Sequence, residues 1–435
     1  MMHAVALFSL LLLFGCGQAG EQEQRRSIHE IQHEKHKGET TVAEPVQVQV
    51  GLEVLFEETV EELRGKTVGI VINHTAVDRD STHLVDRLLE YDDIELKAIF
   101  GPEHGYRGDE ADGQQIRDGV DPVSGAKVYS LYGSNRKPSD EMMEGLEVLI
   151  YDIQDVGVRF YTYISTMGYA MQAAAEHGIP FWILDRPDPI TGTKVAGPPR
   201  QEGYESFVGL YPIPVRYGMT PGELAKMIVG EEWMEFPEGF SPRVIRMDGW
   251  KRFLWHNETT APWLAPSPNM PDLETATVYP GLCFIEGTNV SEGRGTESPF
   301  LQIGAPWIDK KELAQEMNNH NLPGVVFKPV SYTPRDIPGR SINSKYRGEQ
   351  CNGVQIQVTT RNELRAVATG VYLIYTIHQL YPEDFSWRRS AIDRLYGSDQ
   401  LRKSIDAGKT PQEIVEQWRA GLENFTSARE KYLLY

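Results

Sequence analysis

Acidic and basic side chains follow directly after four apolar runs in the first half of the chain. The clearest case is IFGPEHGYRG, where Glu103 and His104 come after an apolar run and lie between Pro102 and Gly105. The other such positions are Asn73-His74, Asp152 with Asp155, and Asp185-Arg186. Two carboxylates flanking a glycosidic bond can hydrolyse it, because one protonates the leaving oxygen and the other serves the water or the sugar.

Glu103 is the predicted general acid of this set. A general acid must keep its proton near neutral pH, which requires poor solvation or nearby negative charge. Asp152 and Asp155 are expected to supply that charge from a neighbouring strand end. The alternative for Glu103 is a loop carboxylate that accepts hydrogen bonds from its own backbone.

The apolar runs themselves predict the fold. The stretches TVGIVIN, IELKAIF, LEVLIYDI and PFWILD are continuous and rich in β-branched or aromatic residues, as strands covered on both faces require. Helical patterns separate them, the first predicted to be capped by Ser81. This alternation predicts an α/β fold with a doubly wound parallel sheet. Ligands bind beyond the carboxyl ends of such strands, so the four polar strand ends are expected to meet.

Two further segments carry polar side chains among small or aromatic residues. VGVRFYTY places Arg159 and Tyr161 after the acidic strand end, where Arg159 could bind a substrate carboxylate or pair with Asp155. FIEGTNVSEGRGTESPF is typical of a site for a polyhydroxylated ligand, and an ordinary glycine-rich loop is the alternative. Its candidate binding residues are Glu286, Asn289, Glu292, Arg294 and Thr296.

The net charge and the absence of several known motifs argue against some function classes. The net charge of −19 over 435 residues disfavours nucleic acid as a partner. No glycine-rich dinucleotide motif follows the first strand, no Walker loop occurs and no serine-hydrolase elbow is present, so no cofactor is predicted. Cys283 and Cys351 are expected to be buried thiols.

The N-terminal residues predict export. Residues 1–16 read as a lipoprotein-type signal peptide, since AVALFSLLLLF is too short to span a bilayer and LFGCG resembles a bacterial lipobox ending at Cys16. An ordinary secretory signal is the alternative. Residues 17–50 are predicted to be a polar tether, so the protein would be a cell-envelope lipoprotein that touches the membrane through its anchor only.

The tether contains HEIQH at residues 29–33, which matches the H-E-x-x-H zinc pattern. A zinc site needs a packed helix and a third ligand, so we interpret this match in a charged linker as coincidental and predict no metal site. A metal-dependent hydrolase is retained as the alternative that deletion or chelation would test.

Three folded segments are predicted after the tether. Residues 51–200 form the catalytic domain with the parallel sheet, and residues 201–304, rich in Pro, Gly and aromatics, contribute to the cleft. Residues 305–435 form a smaller α+β domain, whose helix beginning near Thr410 carries a capping box with Glu413.

Long motifs along the chain resemble those of the family once called domain of unknown function 1343, the bacterial exo-β-N-acetylmuramidases. The motifs are PEHGYRG, SLYG, DIQDVGVRFYTY, LDRPDPITG, VGLYPIP, GMTPGELA, PSPNMP, YPGLCFIEGTNVSEGRGTESPF and GAPW. The resemblance implies a Rossmann-like N-terminal domain, a smaller C-terminal domain with a cleft between them, and release of N-acetylmuramic acid from non-reducing ends of peptidoglycan fragments. Family members often have histidine where this chain has Tyr217.

The resemblance also implies residue roles. The glutamate of the PEHG motif is the family's proposed acid/base and falls on Glu103, with His104 tuning it and Asp152 or Asp155 as partner carboxylate. Candidates for holding the acetamido sugar and its lactyl carboxylate are Arg159, Tyr161, Asn289, Glu292 and Arg294, and the strand-end residues Asn73, His74 and Arg186 complete the predicted binding set. A surface lipoprotein that binds cell-wall sugars without cleaving them is the alternative function.

Overall fold

The four predicted strands are neighbours in one seven-stranded sheet. The computed structural model describes residues 44–103, 105–106, 119–133 and 135–435; Cys16, the HEIQH match and His104 lie outside these residues. The strands are β1 (Thr67–Ile72), β2 (Glu95–Gly101), β3 (Gly119–Val120), β4 (Lys127–Ser130), β5 (Val148–Asp152), β6 (Phe181–Leu184) and β7 (Arg243–Ile245). Their order in the sheet is β3-β4-β2-β1-β5-β6-β7. All neighbouring pairs are parallel except β3 with β4, which confirms the α/β prediction.

Strand register brings the polar strand ends to one edge of the sheet. Val71 of β1 lies opposite both Phe100 of β2 and Tyr151 of β5, and Tyr151 lies opposite Ile183 of β6. Because the four strands run the same way, the residues that follow them emerge along a common edge.

Alternate residues of the strands supply two separate cores. Val68, Ile70 and Ile72 pack in one apolar cluster, whereas Val71 and Tyr151 belong to the other. Side chains alternate between the faces of a strand, so both faces of this sheet are covered, as continuous apolar runs require.

The helices occur throughout the described part of the chain. Their bounds are α1 (Gly51–Val54), α2 (Leu84–Leu89), α3 (Asp140–Met143), α4 (Tyr163–Glu176), α5 (Pro221–Gly230), α6 (Leu273–Leu282), α7 (Lys310–Asn319), α8 (Ala366–Leu380), α9 (Arg389–Tyr396), α10 (Gln400–Asp406), α11 (Pro411–Glu416) and α12 (Arg419–Arg429). No helix among the described residues is both long and apolar enough to span a membrane.

Two predicted helix starts had different outcomes. The α11 capping box between Thr410 and Glu413 is confirmed. The prediction that Ser81 caps α2 is wrong: the cap is His83, whose ring Nδ1 accepts a hydrogen bond from the Val85 amide at 3.4 Å. Ser81 instead has a left-handed backbone, with φ of 65°, in the turn before the helix.

A smaller antiparallel sheet forms in the C-terminal part of the chain. Its strands are β8 (Gln302–Ala305), β9 (Val325–Tyr332) and β10 (Cys351–Val358), with β10 in the centre. Helices α7 and α8 pack with this sheet in one apolar core, so the predicted second α+β domain is confirmed.

The folded part of the chain begins before the predicted tether end at residue 50. Val48 and Val50 are buried, and the Val46 amide donates to the Glu258 carbonyl. These contacts lie against residues 245–260, at the edge of the sheet that β7 extends. The segment 201–304 therefore supplies a strand to the sheet as well as loops.

The helices α6 and α8 meet at two glycines. A Cβ placed on Gly370 would lie 2.2 Å from the carbonyl oxygen of Gly281 and 2.9 Å from its Cα. The two backbones can approach this closely only because neither residue has a side chain.

We expect Gly370→Ala to destabilise the protein by about 1–3 kcal/mol, because the added methyl group would push two packed helices apart. Chemical denaturation would measure the loss. Gln379→Ala, at an exposed position near the end of the same helix, should change stability by less than about 0.5 kcal/mol. Equal stability of the two variants would contradict this account of the helix contact.

Candidate active site

Glu103 lies in a tight turn immediately after β2. The Gly105 amide donates to the Pro102 carbonyl at 3.0 Å, and Gly105 has a φ of 75°, a conformation that favours glycine. A Cβ on Gly101 would lie 2.8 Å from the Tyr106 amide nitrogen. The glycines therefore allow the chain to reverse directly after the strand and present Glu103 at the edge of the sheet.

A cleft opens at this edge and has two lobes that share one set of residues. The first, with a volume of about 580 Å³, we term the aromatic lobe; it is lined by Phe160, Tyr161, Tyr163, Tyr279 and Phe300. The second, of about 480 Å³, we term the arginine lobe; it is lined by Arg136, Arg388, Arg394 and Phe207. Both lobes include Glu103, Tyr132, Thr162, Val208, Glu286, Arg388 and Leu395.

Glu103 is held at the junction of the lobes. The Thr162 hydroxyl, directly before α4, donates to its Oε2 at 2.8 Å. Burial, together with the charge of Glu103, raises the pKa of the Tyr132 hydroxyl. Because Glu103 lines both lobes, its carboxyl group lies next to any bond of a ligand that spans them.

The aromatic lobe is built from rings packed edge to face. Tyr161 and Tyr163 have ring centroids 4.9 Å apart, and Tyr279 and Phe300 have centroids 4.8 Å apart. Asn269, nearly fully buried, lies in the lining and donates to the Arg340 carbonyl at 2.8 Å. Apolar ring faces next to a few polar groups suit a pyranose carrying an acetamido group.

Glu286 is the second carboxylate of the cleft. It lies in the short helical turn Cys283–Gly287 after α6, and the Arg294 guanidinium donates to its Oε1 from Nε at 3.0 Å and from a terminal nitrogen at 2.8 Å. Burial and the neighbouring Glu292 carboxylate raise the pKa of Glu286, whereas Lys345 and Arg388 oppose that shift. Burial lowers the pKa of Arg294 to about 10.

Asp152 and Asp155, the predicted partners of Glu103, lie outside the cleft lining. Asp152 is fully buried, and its two oxygens accept hydrogen bonds from Arg186, one of them at 2.9 Å. Asp155 accepts from the Gly157 amide at 2.7 Å and from the Tyr217 hydroxyl. Both carboxylates, and Arg186 with them, are therefore engaged within the scaffold.

Arg159 also serves the scaffold. Its guanidinium is buried and donates to the carbonyls of Pro198, Ile213 and Leu395 at 2.6, 2.8 and 2.9 Å. Burial lowers its pKa to about 9. Because Leu395 belongs to α9, these bonds attach the C-terminal part to the first domain; the predicted pairing with Asp155 is not made.

The remaining predicted binding residues are distributed around the cleft. Tyr161, Glu286 and Arg294 line it, and buried Glu292 pairs with Lys345 at 2.9 Å behind it. Asn289 bonds to backbone of residues 384 and 386, and Thr296 caps a turn at the Gly293 carbonyl. Asn73 accepts from Thr75, and His74 bonds to the Ala265 carbonyl and lines a separate cavity of about 210 Å³.

Several residues of the cleft were missed at the level of sequence. Tyr132 and Asn269 lie within the SLYG and PSPNMP motifs, which could have indicated them. Thr162 follows Tyr161 directly, but nothing in its surroundings marks it as a partner of Glu103. Arg136, Arg388 and Arg394 carry no sequence signal at all. Among the described residues, no group of three metal-ligating side chains is present.

Comparison with known proteins identifies the family. The family model for the N-terminal part of exo-β-N-acetylmuramidase NamZ matches residues 68–274, and that for the C-terminal part matches residues 277–435. The chain therefore belongs to the exo-β-N-acetylmuramidase NamZ family, a family of glycoside hydrolases.

Individual relatives agree with this assignment. The peptidoglycan β-N-acetylmuramidase NamZ of Bacillus subtilis (strain 168) is 45% identical over 394 residues, which cover 90% of this chain and 92% of the relative. Two crystal structures of DUF1343 family proteins from Bacteroides fragilis are each 36% identical and 99% covered. One covers 90% of this chain with a TM-score of 0.82, and the other covers 89% with a TM-score of 0.71.

The buried Asp155 carboxyl group should make the stability of the fold depend on pH. Burial raises its pKa from the ordinary 3.8 to about 6, so the folded state holds this proton more tightly than the unfolded state. Its stabilising contribution is complete below the unfolded pKa and is lost as the pH rises through about 6. We expect the melting temperature of the wild type relative to Asp155→Asn to fall between about pH 4 and pH 6.5.

Thermal unfolding across that pH range measures the difference. Glu383→Gln, at an exposed position, is the matched control for the loss of one carboxyl group. A wild-type advantage over Asp155→Asn that grows with pH would show that the carboxylate is stabilised in the fold.

Proposed function

We propose that this member of the exo-β-N-acetylmuramidase family releases N-acetylmuramic acid from the non-reducing ends of peptidoglycan fragments. The observation that carries the proposal is that Glu103 and Glu286, which come from different parts of the chain, line both lobes of one cleft. The name of the Bacillus subtilis relative, peptidoglycan β-N-acetylmuramidase, supports the substrate class.

Glu103 is the proposed general acid/base. It lies where the two lobes join, and the Thr162 hydroxyl donates to its Oε2 at 2.8 Å while the Tyr132 hydroxyl also hydrogen-bonds to its side chain. In the first step the carboxylic acid donates its proton to the leaving sugar oxygen as the bond to the anomeric carbon breaks. The aromatic lobe would hold the sugar that is released.

Glu286 is the proposed second carboxylate, in place of Asp152 or Asp155. The latter two are engaged with Arg186, Tyr217 and the Gly157 amide, whereas Glu286 faces the cleft. Arg294 fixes its orientation through two hydrogen bonds to Oε1. Burial and the Glu292 carboxylate raise the pKa of Glu286 to about 8, so its ionised form is a stronger base than an ordinary carboxylate. In that form Glu286 could take a proton from the attacking water.

The test uses a chromogenic β-N-acetylmuramide beside the corresponding N-acetylglucosaminide. We expect the wild type to cleave the first in preference to the second, and Glu103→Gln and Glu286→Gln each to lower kcat at least about 100-fold, because each removes a carboxyl group from the reacting centre. Glu103→Gln should bind the sugar nearly as well as the wild type, since the amide keeps the size of the side chain.

Glu383→Gln is the control for a lost surface charge. Full activity of Glu103→Gln would remove this residue from the mechanism. A wild type that binds muramic-acid glycans without releasing sugar would support the non-catalytic binding protein instead. Loss of turnover with a chelator, or on deletion of residues 18–43, would favour the metal-dependent hydrolase.

We also propose that the protein is exported and anchored to the cell envelope by lipid on Cys16. The apolar run AVALFSLLLLF followed by LFGCG supports this, as does the charged stretch that follows and would act as a tether. Lipid chains on one cysteine would place the cleft beside the cell wall while leaving the catalytic unit in water.

Substitution Cys16→Ser should abolish incorporation of labelled fatty acid and move the full-length protein from the membrane to the soluble fraction, because the acyl chains supply the membrane affinity. Immunoblots of fractionated cells expressing either form provide the measurement. Unaltered fractionation of the serine variant would leave an ordinary secretory signal as the explanation.

A further inference from the structure

The arginine lobe collects three guanidinium groups from separate positions in the chain. Arg136 lies after β4, Arg388 directly precedes α9, and Arg394 lies in its last turn. All three are exposed to solvent and line the same cavity of about 480 Å³. The chain carries 62 acidic against 43 basic residues, so a cavity lined by three cations is opposite in sign to the net charge of the protein.

None of these three arginines forms an ion pair within the described part of the chain. Arg136 lies over the ring of Phe207, with its central carbon 4.6 Å from the ring centroid. Arg388 donates to the Glu286 backbone carbonyl at 3.2 Å. By contrast, the nearby arginines Arg200 and Arg402 pair with Glu205 and Asp393. Glu103 and Glu286 line the same lobe, and the charge of Arg388 acts on the Glu286 carboxyl group. Arg136 and Arg394, which line this lobe only, therefore supply the positive charge at its exposed rim.

The difference in exposure between the two lobes indicates that the arginine lobe lies on the leaving side of the glycosidic bond. The aromatic lobe has walls of buried rings, including Phe160, Tyr161 and Phe300, so it suits a terminal sugar. The arginine lobe has an exposed rim and can admit a chain that continues into solvent. With Glu103 at the junction, the sugars that follow the broken bond would extend past Arg136 and Arg394.

The chemistry of the glycan then identifies the ligand. In peptidoglycan strands a neutral amino sugar alternates with one that carries a lactyl group, so the first sugar on the leaving side is neutral and the second bears a carboxylate. We propose that the arginine lobe binds the carboxylate of this second sugar, so that the enzyme prefers strands over disaccharides. This inference rests on the proposed function; its ligand chemistry is a carboxylate, from a free lactyl group or from a peptide attached to it.

The experiment compares kcat/KM for three substrates: the chromogenic muramide, the disaccharide MurNAc-GlcNAc, and the trisaccharide MurNAc-GlcNAc-MurNAc. The wild type should prefer the trisaccharide over the disaccharide by about 10-fold, chiefly through KM. Arg136→Gln and Arg394→Gln should each reduce that ratio about 3-fold, and the double variant should remove it. A trisaccharide in which the lactyl carboxylate of the reducing-end MurNAc is converted to an amide should be cleaved by the wild type with the kcat/KM of the disaccharide.

Two controls separate the outcomes. Arg389→Gln removes an exposed arginine of the same helix that lines neither lobe, and it should keep the wild-type ratio. A trisaccharide whose reducing-end lactyl group carries an Ala-Glu dipeptide distinguishes the two carboxylate sources. If the lobe binds the peptide carboxylates, the preference for the trisaccharide over the disaccharide is retained. If it needs the free lactyl carboxylate, that preference is lost.

The inference would be overturned by a trisaccharide-to-disaccharide ratio of kcat/KM near one for the wild type, or by the same ratio in the wild type and the double variant. Cleavage of the muramide in that case would still support the proposed function. Equal losses on all three substrates would instead assign the arginines to the released sugar and overturn the inference as well. No cleavage of any substrate by the wild type would refute the proposed function itself. Added salt should weaken the trisaccharide preference and leave muramide turnover less affected, since charge contacts at an exposed rim are screened.

Discussion

The buried ion pair between Arg186 and Asp152 fixes the edge of the sheet on which the cleft is built. Asp152 ends β5 and Arg186 follows β6, so the pair joins adjacent strand ends, and Arg186 also donates to the Val77 carbonyl beyond β1. A buried charge is tolerated only when it is paired and hydrogen-bonded. The pair therefore satisfies two charged residues and ties three strand ends together.

The same requirement explains the other polar strand ends. Asp155 accepts hydrogen bonds from the Tyr217 hydroxyl and a backbone amide, and Asn73 accepts from Thr75. Asp185 accepts from the Thr220 and Tyr435 hydroxyls, each at 2.7 Å. Burial raises the pKa of Asp185 to about 7. Among the predicted carboxylates at the strand ends, Glu103 is the one that the turn carries past the edge of the scaffold and into the cleft.

The C-terminal residues complete this arrangement. Tyr435 reaches Asp185 at the end of β6, and buried Arg429 donates to the Gly192, Tyr217 and Gly218 carbonyls. Arg159 makes the reciprocal connection from the first domain to α9. Because the Arg159 bond fixes α9 against the first domain, the groups that α9 brings to the cleft hold a defined position relative to Glu103.

The sequence alone determined the four parallel strands, the polar residues at their ends and the position of Glu103 between glycines directly after a strand. These features depend on local patterns: continuous apolar runs, capping residues and glycines at a tight reversal. It also indicated Glu286 and Arg294 as binding residues through the density of polar side chains among glycines. The tertiary structure decided that Asp152 pairs with Arg186, and that Asp155 and Arg159 form hydrogen bonds within the scaffold. It also decided that Glu286 and three arginines line the same cleft as Glu103. Which buried polar groups find partners, and which distant segments share a cleft, depends on packing between residues far apart in the chain, and local periodicity carries no record of that packing.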